Sequence, residues 1–198
     1  MDTKKLAGIM MCFGACGVGR ANEKPLTIII FDQAGIEEQA LRVAAVGAQR
    51  IFGSAGVETE WSVCKVSRDP TQHCALPPAD TYLKVLVISN WAGPLKDDAL
   101  GLALSVKGKG GSLCYVFADP VKGFASLNNG SPEALLASVI AHEVGHLMGL
   151  KHTWSGIMKE NFERRDLLAA ESGRLFFNPH DAKSLRAFVH ILGDQRQR

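Results

Sequence analysis

The chain has 198 residues, of which 46% are hydrophobic and 21% are charged, and this is enough apolar mass for one packed domain. Its formal charge is only +2 and the basic residues are dispersed, so the sequence lacks the basic patch of a nucleic-acid-binding protein. We therefore expect a monomeric, single-domain protein with no nucleic-acid partner.

Residues 1–21 have the pattern of a secretory signal peptide. MDTKK supplies a positive region, LAGIMMCFGACGVG an apolar run, and GRA a small-residue end. The apolar run is shorter than the roughly 20 residues that a membrane-spanning helix needs. We predict that the mature chain comprises residues 22–198, has no transmembrane segment and is secreted or periplasmic.

Two other interpretations of this segment stay open. The sequence FGAC, which ends at Cys16, resembles a degenerate bacterial lipobox, and its processing would attach a lipid anchor to Cys16. The segment could instead form a buried N-terminal helix, although its glycines are poor helix formers.

Four segments predict β-strands; three are apolar runs, and the segment 59–66 alternates polar and apolar residues. They are LTIIIFD (26–32), TEWSVCKV (59–66), YLKVLVIS (82–89) and LCYVFA (113–118). Residues 36–52 place apolar side chains at helical spacing and predict an amphipathic helix between the first two strands. This interleaving of strands and helices indicates an α+β or α/β fold.

The second half of the chain is predicted to end in two helices. Ser131 and Pro132 form a favoured helix start, an N-cap followed by proline, and residues 179–192 predict the terminal helix. We expect loops in the proline-containing segment 67–80, in the glycine-rich segment 107–112, after Ala118, and in the polar stretch beyond Met158.

Three cysteines follow the predicted leader. Cys64 and Cys74 close a short loop and are the natural disulfide pair in an exported protein, although the sequence does not prove the bond. Cys114 lies in an apolar run and is expected to be a buried thiol. No spacing matches a CxxC, so cysteine-ligated zinc is not indicated.

The sequence HEVGH, residues 142–146, places two histidines on one helix face. His142 and His146 are four residues apart and point the same way from successive turns, so both rings can reach one ion. Glu143 lies beside that face, where it can hold a water molecule on the ion. The motif therefore predicts two zinc ligands and a general base.

The extension to HEVGHLMGLKH adds a third histidine and makes the motif far more specific. In an unbroken helix, His152 would lie roughly 9 Å along the axis from His146 and on another face. Gly149 can adopt the left-handed conformation that ends a helix, which would turn His152 back toward the other two rings.

Three neutral imidazoles with one open position are typical of a catalytic zinc site rather than a structural one. One zinc ion would polarise a substrate carbonyl and lower the pKa of its bound water, while Glu143 accepts the proton of that water and passes it to a leaving amine. The sequence thus favours amide hydrolysis.

The motif HEVGHLMGLKH resembles the zinc signature HExxHxxGxxH of the metzincin metallopeptidases, and SGIM (155–158) resembles their methionine turn. Met158 follows the third histidine closely, as in compact bacterial matrixin-like members. The resemblance implies a zincin-like fold: a mixed twisted sheet of about four to five strands, an edge strand over the cleft, an active-site helix and a C-terminal helix. Gly149 and Met158 would support the site.

By the same resemblance, residues 113–117 of LCYVFA would be the edge strand that binds an extended peptide by strand addition, which implies a polypeptide substrate. These substrate-binding candidates are Leu113, Cys114, Tyr115, Val116 and Phe117. An edge strand without a ligand is the alternative. Glu160 stands where some metzincins carry a fifth-ligand tyrosine, which disfavours that subtype.

Other functions stay open. The chain could hydrolyse small amides or cell-wall peptides, or it could be a non-catalytic zinc-containing module that binds peptides. The presence of Glu143 argues against a non-catalytic module. The remaining histidines, His73, His180 and His190, are expected to be surface or helix-end residues, and Asp32 and Asp119 to be turn formers.

Overall fold

A computed structural model describes residues 25–65, 74, 76–78, 81–95, 98–106 and 110–196. The strands are β1 (Leu26–Asp32), β2 (Thr59–Lys65), β3 (Tyr82–Ile88), β4 (Gly101–Val106) and β5 (Gly110–Phe117). The helices are α1 (Glu38–Ser54), α2 (Ala118–Leu127), α3 (Pro132–Leu147), α4 (Arg164–Glu171) and α5 (Pro179–Arg196). The predicted leader and its alternatives lie outside the described residues.

The five strands form one mixed sheet in the order β2-β1-β3-β5-β4. All neighbours are parallel except β4, which runs antiparallel to β5. This agrees with the predicted mixed sheet. β1 contains three consecutive buried isoleucines, as expected for a strand that is covered on both faces.

The main core lies between the sheet and helices α1 and α3. Ile28 and Ile30 of β1 belong to the same buried cluster as Leu41 of α1 and Ile140 of α3, whereas Ile29 points to the opposite face of the sheet. Because side chains alternate along a strand, both helices cover one face. α3 is buried along most of its length and also contacts β4 and β5.

The prediction that residues 113–117 form the edge strand is wrong. These residues lie in β5, which is hydrogen-bonded to β3 on one side and to β4 on the other. Among the described residues, the edge strand next to β5 is β4, a short segment that we did not predict. Its sequence, GLALSV, contains glycine, alanine and serine and has few β-branched residues, so its local signal is weak.

Two helices occupy segments that were predicted to be loops. Asp119 and Pro120 lie in the first turn of α2, where proline is tolerated because backbone N–H groups there have no helical partner. α4 begins with a capping box in which Glu163 and Asp166 each accept a hydrogen bond from the other's backbone. These polar residues start helices here and do not break them.

The disulfide left open by the sequence is present between Cys64 and Cys74, whose Cα atoms are 5.9 Å apart. The bond attaches the end of β2 to the segment that precedes β3. Cys114 is a fully buried free thiol, as predicted. Within the described residues, no helix has both the length and the apolar character that crossing a bilayer requires.

Candidate metal centre

α3 begins as its sequence predicts. The Ser131 hydroxyl accepts a hydrogen bond from the backbone N–H of Ala134 at 3.1 Å, and Pro132 occupies the first turn. From there the helix runs continuously through the core to Leu147, and it therefore carries His142 and His146 on a rigid element.

The helix ends at Gly149 in a hydrogen-bonded turn. Gly149 has a φ of 86°, in the left-handed region. The N–H of Leu150 donates to the carbonyl of Gly145 at 3.0 Å, and the N–H of Gly149 donates to the carbonyl of His146 at 3.0 Å. These two bonds form a Schellman motif, which reverses the chain direction. The predicted turn is confirmed.

This turn brings the third histidine to the other two. The ligand nitrogens of His142, His146 and His152 all lie within 4.8 Å of one another. The ring centroid of His152 is 4.7 Å from that of His146 and 5.3 Å from that of His142. The rings range from buried at His142 to exposed at His152, so the group opens to solvent on one side.

Backbone carbonyls orient two of the rings. Nδ1 of His142 lies 2.8 Å from the oxygen of Ile157, and Nδ1 of His146 lies 2.8 Å from the oxygen of Leu150. Because a carbonyl oxygen only accepts, each Nδ1 must carry the proton, and each neutral ring then presents an unprotonated Nε2. A hydrogen bond from the second ring nitrogen to a carbonyl is typical of histidines that bind metal.

The Nε2 atoms of His142 and His146 are 3.0 Å apart. Two unprotonated nitrogens at this distance have no hydrogen between them, and their lone pairs repel unless a cation lies nearby. Two nitrogens bound to one tetrahedral zinc ion would be about 3.3 Å apart, given Zn–N distances of about 2.0–2.1 Å. The donor set therefore fits a zinc ion.

Burial keeps these groups neutral in the absence of a metal. It lowers the pKa of His142 to about 4, with a further contribution from His146. The pKa of His146 is also lowered by burial. Burial raises the pKa of Glu143 to about 8, because the low-dielectric surroundings disfavour its charged form. A neutral histidine is the form that binds metal.

Met158 lies beneath α3, the helix that carries His142 and His146 and is called the ligand helix below. It is fully buried, and its sulfur packs against Gly145, where a Cβ atom would lie only 2.8 Å from the sulfur. The methionine turn is closed by a 2.7 Å hydrogen bond from the N–H of Thr153 to the carbonyl of Met158. This bond connects the turn to the residue that follows His152.

A cleft of roughly 530 Å³ opens beside the three histidines. Glu143 lines it and is only 6% exposed. The edge strand β4 and the segment before it form one wall, and residues 160–162 after the methionine turn form another. The ring of Phe162 lies 5.9 Å from that of His142.

The predicted substrate-binding residues do not line this cleft as the structure describes it. Cys114 and Val116 are buried in the main core, and the ring of Tyr115 packs against Trp91 at 5.3 Å. The cleft residues that the sequence did not reveal include Leu100 just before β4, three residues of β4 (Gly101, Leu102 and Ala103) and Phe124 of α2. The strand order places the residues of β4 there, and nothing in their local sequence indicates it.

The remaining candidates behave mostly as expected. Asp32 accepts hydrogen bonds from the N–H groups of Ala34 and Gly35, both at 3.0 Å, and so forms a turn. Asp119 lies in the first turn of α2. His180 and His190 lie on α5, outside the three-histidine group, and His73 falls outside the described residues.

A helix with two convergent imidazoles, a turn that supplies a third, and a buried glutamate facing a cleft define a zinc-dependent hydrolase site. Comparisons with known proteins refine this class. The sequence model of the reprolysin-like metallopeptidase family M12B matches residues 81–153. Curated protein sequences give no match.

A solved structure has a similar fold. The archaemetzincin of Methanopyrus kandleri matches with a TM-score of 0.56 and 17% sequence identity, over 84% of this chain and 96% of that chain. The likeness confirms the predicted zincin-like fold. Together with the family match over residues 81–153 and the three-histidine group, it supports a zinc metallopeptidase.

Proposed function

We propose that the protein is an endopeptidase in which Glu143 is the general base and His142, His146 and His152 hold one zinc ion. The observation that carries the proposal is the convergence of three ring nitrogens within 4.8 Å beside a buried glutamate that lines an open cleft. The zinc ion would supply a Lewis acid that activates water and polarises the substrate carbonyl.

Glu143 moves the protons in this proposal. Its carboxylate accepts a proton from the attacking water and later delivers that proton to the leaving amine of the substrate. Burial alone raises its pKa to about 8, which would leave it protonated at neutral pH. With a divalent cation held by the three rings, the charged carboxylate would be favoured and Glu143 would be in its basic form.

The edge strand β4 is proposed to align the substrate. The N–H of Phe117 donates to the carbonyl of Leu100 at 2.9 Å, so residues 100 and 117 form a hydrogen-bonded pair. Because such pairs alternate in an antiparallel ladder, Gly101 and Ala103 direct their backbone groups away from β5, toward the open edge. An extended peptide could pair with these groups beside Glu143.

A polypeptide substrate follows from this arrangement, since an open strand edge recognises the backbone of an extended chain. Small amides cannot use that edge. Recognition through backbone hydrogen bonds is largely independent of the substrate's sequence, so we expect cleavage at internal bonds of unfolded proteins.

The decisive experiment compares the native chain from residue 22 onward with Glu143→Gln. We expect one equivalent of bound zinc in both proteins, and cleavage of an unfolded protein by the native chain alone. Glu60→Gln is the matched control, because Glu60 is exposed on β2 far along the sheet from β4. Zinc binding without cleavage in either protein would instead favour a peptide-binding module.

A second experiment tests the edge strand. Ala103→Pro removes the outward N–H group without removing a hydrogen bond between β4 and β5, so KM for a peptide should rise. Ala103→Val retains the N–H and serves as the control. An unchanged KM in the proline variant would contradict substrate pairing on β4.

We also propose that the protein is exported. The positive and apolar pattern of residues 1–21 supports a cleaved leader, and the disulfide between Cys64 and Cys74 is compatible with an oxidising compartment. Intact-mass measurement of the protein from the outside of the producing cell would test this. A chain that begins near residue 22 supports the leader, and a lipid on Cys16 supports the anchored form.

A further inference from the structure

Gly101 lies directly against the side chain of Glu143. A Cβ atom built on Gly101 would lie 2.6 Å from Oε1, 2.7 Å from Cγ and 2.8 Å from Cδ of Glu143. Its three nearest neighbours thus all belong to one side chain. Real Cβ atoms essentially never approach other atoms this closely, so no side chain fits at residue 101 while Glu143 keeps its place.

Within the part of the chain that the structure describes, packing fixes the Glu143 carboxylate. Among the described residues, no hydrogen bond or ion pair holds it, and burial is the sole cause of its raised pKa. The side chain lies 6% exposed between α3 and the first residue of the edge strand. The bare backbone at Gly101 is therefore the surface against which the carboxylate rests.

The relative rigidity of β4, α3 and the Glu143 side chain determines which of them would move if a methyl group were added at residue 101. Gly101 lies opposite Val116 and next to Leu100, whose carbonyl accepts a hydrogen bond from Phe117, and α3 is buried along most of its length. The Glu143 side chain has three rotatable bonds and can therefore move more easily than the strand or the helix. An added methyl group would therefore displace the carboxylate and leave the strand and the helix in place.

We propose that Gly101 is a positioning residue that sets the location of the Glu143 carboxylate in the cleft. This inference rests on the proposed function, in which Glu143 is the general base. It extends that function by giving the edge strand a second role, because the same residue that offers backbone groups to a peptide also fixes the base beside that peptide.

The test is Gly101→Ala, made in the full chain and loaded with zinc. We expect kcat to fall on the order of 10²-fold, the usual effect of about 1 Å of misplacement of a catalytic group. KM, zinc affinity by chelator competition and melting temperature should stay close to the native values. Gly123→Ala is the matched control, because a Cβ atom at this exposed position in α2 would meet nothing within 4 Å.

A double variant keeps the test informative if Gly101→Ala lowers the melting temperature. Adding Glu143→Ala removes the side chain that the methyl group meets, so the double variant should melt at the temperature of Glu143→Ala alone. A double variant that melts below Glu143→Ala alone would overturn the proposal, since the methyl group would then be acting on some other part of the fold.

The outcomes separate this inference from the function on which it rests. Native activity that Glu143→Gln abolishes but Gly101→Ala leaves intact would overturn the role of Gly101 and retain the peptidase. Equal losses of zinc affinity and kcat in Gly101→Ala would also overturn it. Absence of Glu143-dependent cleavage by the native chain would instead remove the proposed function.

Discussion

Nδ1 of His146 donates a 2.8 Å hydrogen bond to the carbonyl of Leu150, four residues further along the chain. Leu150 follows Gly149, and its N–H closes the turn that ends α3. One local structure therefore orients the second imidazole and delivers the third, His152, to the same point. A disturbance of this turn should affect both rings.

Substitution of Gly149 tests the turn. A Cβ atom at this position meets nothing within 4 Å, so the only cost of Gly149→Ala is its φ of 86°. We expect a loss of about 1–2 kcal/mol in the free energy of unfolding and weaker zinc binding. Gly149→Asn should lose less, because asparagine tolerates this conformation. Urea unfolding and chelator competition measure both effects, and native zinc affinity in Gly149→Ala would contradict the account.

Glu143 should make the metal-free protein less stable as the pH rises. Its pKa is about 8 in the folded protein and 4.5 in the unfolded chain, so the folded state retains a proton that the unfolded state loses. The stabilising effect is complete below about pH 4.5 and is lost between there and about pH 8. After zinc removal, the melting temperature of the native chain should fall relative to that of Glu143→Gln over this range.

His142 should make the metal-free protein less stable as the pH falls, over a lower pH range than that of Glu143. Its pKa of about 4 in the folded protein lies below the ordinary value of 6.5, so the unfolded chain binds a proton first as the pH falls. Metal-free Glu143→Gln should therefore lose stability, on the order of a few kcal/mol, between about pH 6.5 and pH 4. A flat profile over this range would show that His142 is not held neutral by burial.

Met158 is expected to support the ligand helix by packing alone. Met158→Ala leaves a cavity under Gly145 and should lower the free energy of unfolding by about 2–5 kcal/mol. Met158→Leu conserves volume and should cost under about 1.5 kcal/mol while retaining zinc. Denaturant unfolding with parallel zinc analysis makes the comparison. Loss of zinc from a well-folded leucine variant would point to a direct role of the sulfur.

Asn178 connects the loop after His152 to α5. Its Oδ1 accepts a 2.9 Å hydrogen bond from the N–H of Asp181, and its Nδ2 lies 3.3 Å from the hydroxyl of Thr153. Asn178→Ala should lower stability by roughly 1–2 kcal/mol, as loss of a helix cap does, and should weaken zinc binding through the His152 loop. Ser184→Ala, which loses an exposed bond on α5, is the control and should leave zinc affinity unchanged.

The disulfide should stabilise the chain without affecting the metal centre. Replacing Cys64 and Cys74 together by serine opens a loop with a sequence separation of 10 residues and should cost about 3 kcal/mol. Zinc affinity should not change, because the bond attaches β2, at the sheet edge opposite β4. Unfolding with and without reductant measures the cost. A zinc affinity that falls together with stability would contradict this separation.

The sequence was most informative where short-range spacing determines structure. The helical spacing of His142 and His146, the cap at Ser131 and the reversal at Gly149 are all local, and each has the predicted conformation. The amphipathic helix predicted over residues 36–52 was also confirmed as α1, and its apolar face is buried: Leu41, Ala44, Ala45, Ala48, Ile51 and Phe52.

The errors came from strand order and from helices rich in polar residues. No local sequence pattern indicates that β4 pairs with the outer side of β5. The edge strand and the wall of the cleft were therefore assigned to the wrong residues. Gly101 has no side chain and therefore gives no functional signal in the sequence. Only its close approach to Glu143 in the structure indicates a positioning role. α2 and α4 contain proline, glycine or clustered charge, which are typical of loops as well as of helix starts.

The three imidazoles lie within eleven consecutive residues, on one helix and the turn after it. Coordination of the ion thus depends on no pairing between distant strands, whereas the cleft wall requires the complete sheet. We therefore expect the ligand set to be less sensitive than the cleft wall to substitutions that disturb strand pairing.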